Sequence, residues 1–231
     1  MSTLLCTPPD VELTPATYRE RRPSVDGFRL LSATVTVMLL DDPLRARYEY
    51  ECHLETTGDV PAVYWCFELP AGAPEVEDVR AWDPRGRLQP SVGQGEKGTT
   101  MLRIRLREPV VMGERYTFGF GYESAIRPVI AGEARDRTVT YADWVIFNIP
   151  CTLLHVYVEL PRAAAPVMTV PPASEDEGWR VTYRVRALRP LESVSFMVAY
   201  KRTHRPHAGA ARRVSGMVAT TAGFLGSGLQ R

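Results

Sequence analysis

The stretch VEDVRAWDPRGRL (residues 76–88), followed by MLRIRLREPVVMGERYTFGFGY (residues 101–122), carries two runs of strict alternation. In the first, Leu102, Ile104 and Leu106 alternate with arginines. In the second, Tyr116, Phe118, Phe120 and Tyr122 alternate with Thr117, Gly119 and Gly121. Successive side chains of a strand point to opposite faces, so each run predicts a half-buried strand. Between them EPVVMGE supplies a proline and a glycine to turn the chain, which predicts neighbouring antiparallel strands with their apolar faces on the same side. The stretch decides an architecture, a sheet laid on a core, and names no chemistry.

The same period extends outward in both directions. FRLLSATVTVMLL is rich in β-branched residues and ends at the turn residues DDPL. ARYEYECHLE places Tyr48, Tyr50, Cys52 and Leu54 inward and Arg47, Glu49, Glu51, His53 and Glu55 toward water. AVYWCFELP is apolar on both faces and predicts a central or covered strand. DPRGRLQP reads as a turn and short strand, and SVGQGEKGTT as an exposed loop. ESAIRPVIAGEARDR reads as a crossover, TVTYADWVIFNIP and TLLHVYVELP as strands, and PRAAAPVMTVPPASEDEG as a loop. WRVTYRVRAL and SVSFMVAY close the series.

About ten strands, no long helix and turn signals at roughly 8–12-residue spacing predict an all-β protein: an antiparallel β-sandwich, immunoglobulin-like or related. The expected organisation is an irregular, extended leader over residues 1–26, a single sandwich over 27–202 and a flexible tail over 203–231. In that tail Val214, Met217, Val218, Thr221, Phe224 and Leu225 fall at helical spacing. Gly216, Gly223, Gly226 and Gly228 oppose a helix, so disorder is expected.

Bulk composition removes several classes of function. A chain of 231 residues with 45% hydrophobic and 24% charged residues is an ordinary globular length and composition. Its formal charge of +1 predicts no pull toward nucleic acid or an anionic membrane. Lys97 and Lys201 are the only lysines, so the basic residues are nearly all arginine. No run reaches the ~20 apolar residues that cross a bilayer, and the N-terminus lacks signal-peptide regions, which predicts the cytoplasm. Leu4-Leu5-Cys6 is too short a run for a lipoprotein signal.

The four cysteines, Cys6, Cys52, Cys66 and Cys151, are too widely spaced for paired zinc ligands. Cys52 shares a face with Tyr50 and Leu54, whereas Cys66 opposes Trp65 and Phe67, so no disulfide is expected between them. All four are expected to be reduced and structural. His53 and His155 fall on outward faces, and His204 and His207 lie in the tail. Gly93, Gly95, Lys97 and Gly98 sit between strands in the wrong order for a phosphate loop, and no hydrolase elbow or metalloprotease motif is present. No catalytic, cofactor-binding or metal-binding residue is therefore assigned, and no cofactor is expected. The row Arg103, Arg105 and Arg107 and the face Glu49/Glu51/Glu55 read first as solubilising, edge-protecting charges; the alternative reading brings the two together, in the same sheet or on a partner, where exposed edge strands invite a further chain.

The order Asp83, Gly86, Leu88, then Leu102 to Leu106, then Gly113-Glu114-x-Tyr116 and a strand ending at Tyr122 resembles a pattern in two families. One is the N-terminal β-sandwich of M1-type aminopeptidases. The other is the β-rich sensory domain of actinobacterial helix-turn-helix regulators. Both resemblances rest on turn and core residues, carry no catalytic residue onto this chain, and imply a scaffold or sensing module. Three expectations follow. The first is a non-enzymatic binding, sensory or assembly module acting through a partner protein or small ligand. The second is a hydrolase or transferase built from dispersed loop residues, with Asp143, Cys151 and His155 as its candidate cluster. The third is a structural subunit of a homo-oligomer.

Overall fold

The computed structural model describes residues 27–40, 45–59, 61–69, 75–95, 98–132 and 137–202. The expected leader and tail lie outside them. Fourteen strands form two sheets, and no α-helix occurs among the described residues. The strands are β1 (Phe28–Leu39), β2 (Arg45–Thr56), β3 (Ala62–Leu69), β4 (Val76–Asp83), β5 (Gly86–Gln94), β6 (Thr100–Val110) and β7 (Arg115–Ala125). They continue with β8 (Val129–Ala131), β9 (Thr138–Ile146), β10 (Cys151–Glu159), β11 (Ala164–Val170), β12 (Glu175–Asp176), β13 (Arg180–Leu188) and β14 (Ser193–Arg202). One sheet runs β12-β13-β10-β1-β2-β7-β4-β5-β6-β3, the other β11-β14-β9-β8. Every pairing is antiparallel except β1 with β10, where Val35 lies beside Val156. Among the described residues no helix is long and apolar enough to cross a membrane.

The long sheet supplies both layers because β5 changes partner part-way along. Its first residues pair with β4, Leu88 opposite Ala81, and its remainder pairs with β6, Val92 opposite Leu102. The chain therefore folds over at Leu88 and carries β6 and β3 across the core. Trp65 of β3 meets Phe118 of β7 at 5.2 Å between ring centroids, and Phe67 meets Tyr50 of β2 at 5.0 Å. The second sheet completes that upper layer. Tyr183 of β13 packs on Phe196 of β14 at 5.5 Å, and its hydroxyl donates to the Met197 carbonyl at 3.2 Å. One apolar core fills the space between the layers, with Leu30, Val35, Leu54, Leu102, Ile104, Leu154 and Val156 almost wholly buried.

Several sequence expectations change here. The alternating strands β6 and β7 are consecutive but not neighbours: β6 pairs with β3 and β5, and β7 with β2 and β4. Their apolar faces look at each other across the core. SVGQ is part of β5, and PRAAAPVMTVPPASEDEG contains β11 and β12. Strand β3, expected to be covered, ends its sheet. A bulge between Ala62 and Tyr64 turns Val63 outward at 39% exposure, beside Tyr64 at 50%. On that outer face the Arg103 guanidinium lies over the Tyr64 ring, 5.8 Å from its centroid.

Candidate functional site

The two halves of the upper layer leave a seam. Strand β3 ends the long sheet, and β9 pairs with the short β8 only over Thr138–Thr140, so β9 is open on that side from Tyr141 onward. Between β3 and β9 lies a cleft of ≈170 Å³. Phe67 and Glu68 of β3, Asp143 and Val145 of β9, Tyr50 of β2 and Tyr122 of β7 line it. Period-two alternation places Tyr141, Asp143 and Val145 on the inward face of β9, above the tyrosines of β2.

Asp143 is half-buried, with its carboxyl turned inward. The Tyr48 hydroxyl donates to Oδ2 at 3.0 Å and the Tyr141 hydroxyl donates to the same oxygen. The two hydroxyls are 3.1 Å apart, and the Trp144 N–H donates to Oδ1 at 2.7 Å. Burial pushes the Asp143 carboxyl above the ordinary carboxylate range, and the bonds from Tyr141, Trp144 and Tyr48 only partly offset it. Burial also raises the phenols of Tyr48, Tyr122 and Tyr141 well above their ordinary value, with Asp143 adding to the effect in each. These phenols are hydrogen-bond donors at neutral pH, not bases.

The candidate cluster of Asp143, Cys151 and His155 is dispersed. His155 of β10 is on the opposite phase from the buried Leu154 and Val156, on the outer face of the lower layer, with its ring 6.2 Å from that of Tyr157. Cys151 is buried at the start of β10, its thiol 3.4 Å from the Leu153 carbonyl and pushed up to about 11 chiefly by burial. Cys52 is buried and Cys66 exposed, and both are free thiols, as the alternation predicts; Cys6 lies outside the described residues. His53 bonds through Nδ1 to the Thr117 hydroxyl at 2.9 Å. No group of three or more His, Cys, Asp or Glu side chains among the described residues is arranged to hold a metal ion.

The arginine row does not meet the glutamate face. Arg103 and Arg105 project from the upper layer and Glu49 and Glu51 from the lower, on opposite outer surfaces. Glu49 accepts from Arg80 at 2.7 Å, and Glu55 takes Arg29 and Arg115, the latter at 3.2 Å. Arg107 instead grips Asp83 through Nε at 2.8 Å and a terminal nitrogen at 3.0 Å. The Tyr116 hydroxyl at 2.7 Å and the Arg85 N–H at 2.9 Å complete the shell of that carboxylate. Asp83, Gly86 and Tyr116, the residues that carried the family resemblance, thus tie the β4–β5 turn to β6 and β7. Gly86 turns there at φ 126°, and Gly113 at φ 79° in the turn before β7.

The tyrosines around Asp143 were legible only as core. A sharper signal was available: Tyr48, Tyr50, Tyr122 and Tyr141 all fall at inward positions, and a buried phenol needs a polar partner. Asp143, two residues after Tyr141, is that partner for two of them.

No protein-family model and no curated protein matches this chain. Solved structures do resemble it. Native yeast LTA4 hydrolase aligns at 8% identity and a TM-score of 0.51 over 81% of this chain and 32% of that one. A second structure of native leukotriene A4 hydrolase from Saccharomyces cerevisiae aligns at 7% identity and a TM-score of 0.51, over 80% of this chain and 32% of that one. The M1 zinc metallopeptidase of Deinococcus radiodurans aligns at 13% identity and a TM-score of 0.44, over 74% of this chain and 42% of that one. This chain therefore spans less than half the length of the proteins it resembles. The likeness is one of fold.

Proposed function

We propose that this chain is a non-catalytic β-sandwich module that works by receiving a ligand or partner at the cleft between β3 and β9. One observation carries the reading: the cleft between β3 and β9 holds the inward-turned carboxyl of Asp143, and neither His155 nor Cys151 lines it. Three donors already occupy Asp143, so its carboxyl is held in place and not poised beside a nucleophile. A cleft with apolar walls and a few fixed polar groups is the usual form of a binding site. The fold likeness to yeast LTA4 hydrolase supports a module in one further respect, since there the matched portion is about a third of a longer chain.

The test uses the purified full chain. Chromogenic ester, amide, phosphate and glycoside substrates are expected to give no turnover that Asp143→Asn, His155→Ala or Cys151→Ala removes. A ligand-observed fragment screen is expected to yield binders that Val145→Trp, which fills the cleft, excludes. Turnover lost in any of the three variants overturns the reading.

A further inference from the structure

Among the described residues, carboxylates withdrawn from water commonly have an arginine. Asp83 is paired with Arg107, and Glu55 with Arg29 and Arg115. Asp143 has only neutral donors, two phenols and a backbone N–H, and makes no ion pair among the described residues. Neutral donors orient a carboxylate but leave its charge uncompensated, and an uncompensated buried charge is costly.

Around that charge the cleft offers two further features. Glu68 lines the facing wall on β3, its Oε1 accepting from the Thr99 hydroxyl. Tyr50, Phe67 and Tyr122 are among the other lining residues; Phe120 covers one face of Tyr50 and Tyr48 one face of Tyr122, and ring faces turned to the cleft attract cations. Phe67 lies 5.0 Å from Tyr50 and 6.4 Å from Tyr122, so the three rings form one wall.

Resting on the reading of the cleft as a binding site, we infer that its ligand is a small alkylammonium cation, seated on the Tyr50, Phe67 and Tyr122 rings with Asp143 and Glu68 opposite in charge. The number of acceptor sites selects the alkylated form. A carboxylate has about four lone-pair sites, and three donors already occupy those of Asp143. Guanidinium or a primary ammonium needs several acceptors. A quaternary ammonium such as that of choline has no N–H donor, needs no acceptor and is held by charge and ring faces alone. The volume of ≈170 Å³ fits such a head group, being close to the ~150 Å³ of a cavity that takes up benzene.

The probes are choline and its uncharged isostere 3,3-dimethylbutan-1-ol, titrated into the full chain by calorimetry. Choline is expected to bind, with the alcohol weaker by about tenfold or more. Asp143→Asn is expected to reduce choline affinity by about tenfold and to leave the alcohol unchanged. Phe67→Leu keeps the apolar volume and loses the ring face, so it is expected to weaken choline selectively even if the Asp143 variant fails to fold. Equal affinity for the two probes, no choline binding, or choline binding indifferent to both variants overturns the cation assignment. If uncharged fragments still bind and Val145→Trp still excludes them, that assignment falls alone. Turnover that Asp143→Asn removes takes the binding-module reading with it.

Discussion

Asp83 and Asp143 lose water to similar neutral neighbours, a backbone N–H each with one tyrosine hydroxyl on Asp83 and two on Asp143, and answer in opposite directions. The Arg107 guanidinium holds the Asp83 carboxyl well below the usual carboxylate range, and Arg29 and Arg115 lower Glu55 in the same way. A depressed folded-state value means the stabilisation is present above the ordinary carboxylate pKa of ~4 and is lost as pH falls through the folded value. Asp83→Asn is therefore expected to cost about 1–3 kcal/mol at pH 7, because Tyr116 and Arg107 lose a charged acceptor. Urea unfolding at pH 7 and pH 3 checks this: the gap between wild type and variant must narrow at the lower pH. Asp143 has the opposite sign. Its carboxyl is raised by burial, so it is neutral in both states at low pH, and its ionisation opposes folding as pH rises through the folded value. Asp143→Asn is expected to be as stable as wild type near pH 4 and more stable at pH 8. A variant less stable at pH 8 than at pH 4, relative to wild type, would show that the phenol bonds outweigh the burial.

At the scale of the strand, β7 is organised by what it lacks. Gly119 and Gly121 face outward, and β4 lays Trp82 and Arg80 over them. A Cβ on Gly119 would stand 2.4 Å from the Trp82 indole, and one on Gly121 would stand 2.7 Å from the Tyr48 carbonyl. Gly119→Ala is expected to cost about 1–3 kcal/mol by overpacking. The double variant with Trp82→Ala is expected to fall short of the sum of the singles, which a double-mutant cycle in urea measures. Alternation made β2, β7, β10 and β13 readable, because a single buried face fixes the period. It did not reveal that Trp82 covers Gly119, which is a cross-strand fact. It also failed for the second half of β5, Ser91–Gln94, and for β11, whose glycine, proline and alanine residues read as loop although pairing with β6 and β14 holds them as strands. The site was hidden for the same reason: Tyr48 and Asp143 are 95 positions apart, and only the seam between β3 and β9 brings them together.

For the whole molecule the question is whether the two sheets behave as one folding unit over residues 27–202. Their contact is made by side chains across the core and by polar bonds at the seam: Tyr48 and Tyr183 of the long sheet reach Asp143 and the Met197 carbonyl of the short one. The short sheet's buried side chains, Tyr141 and Val145 on β9 and Phe196, Val198 and Tyr200 on β14, belong to the core it shares with the long sheet, so it has little to hold it together alone. A four-stranded sheet whose buried face belongs to a shared core is expected to unfold with that core. Tryptophans report on both layers: Trp65 and Trp144 lie in the upper layer, and Trp82 and Trp179 in or beside the lower. Urea transitions followed by tryptophan fluorescence and by far-ultraviolet circular dichroism are expected to share one midpoint and one slope. Tyr183→Phe removes the bond to β14 and is expected to lower that common midpoint without splitting it. Two resolved transitions, the earlier carrying the signal of Trp144, would divide the chain into two units and make the cleft an interface between them.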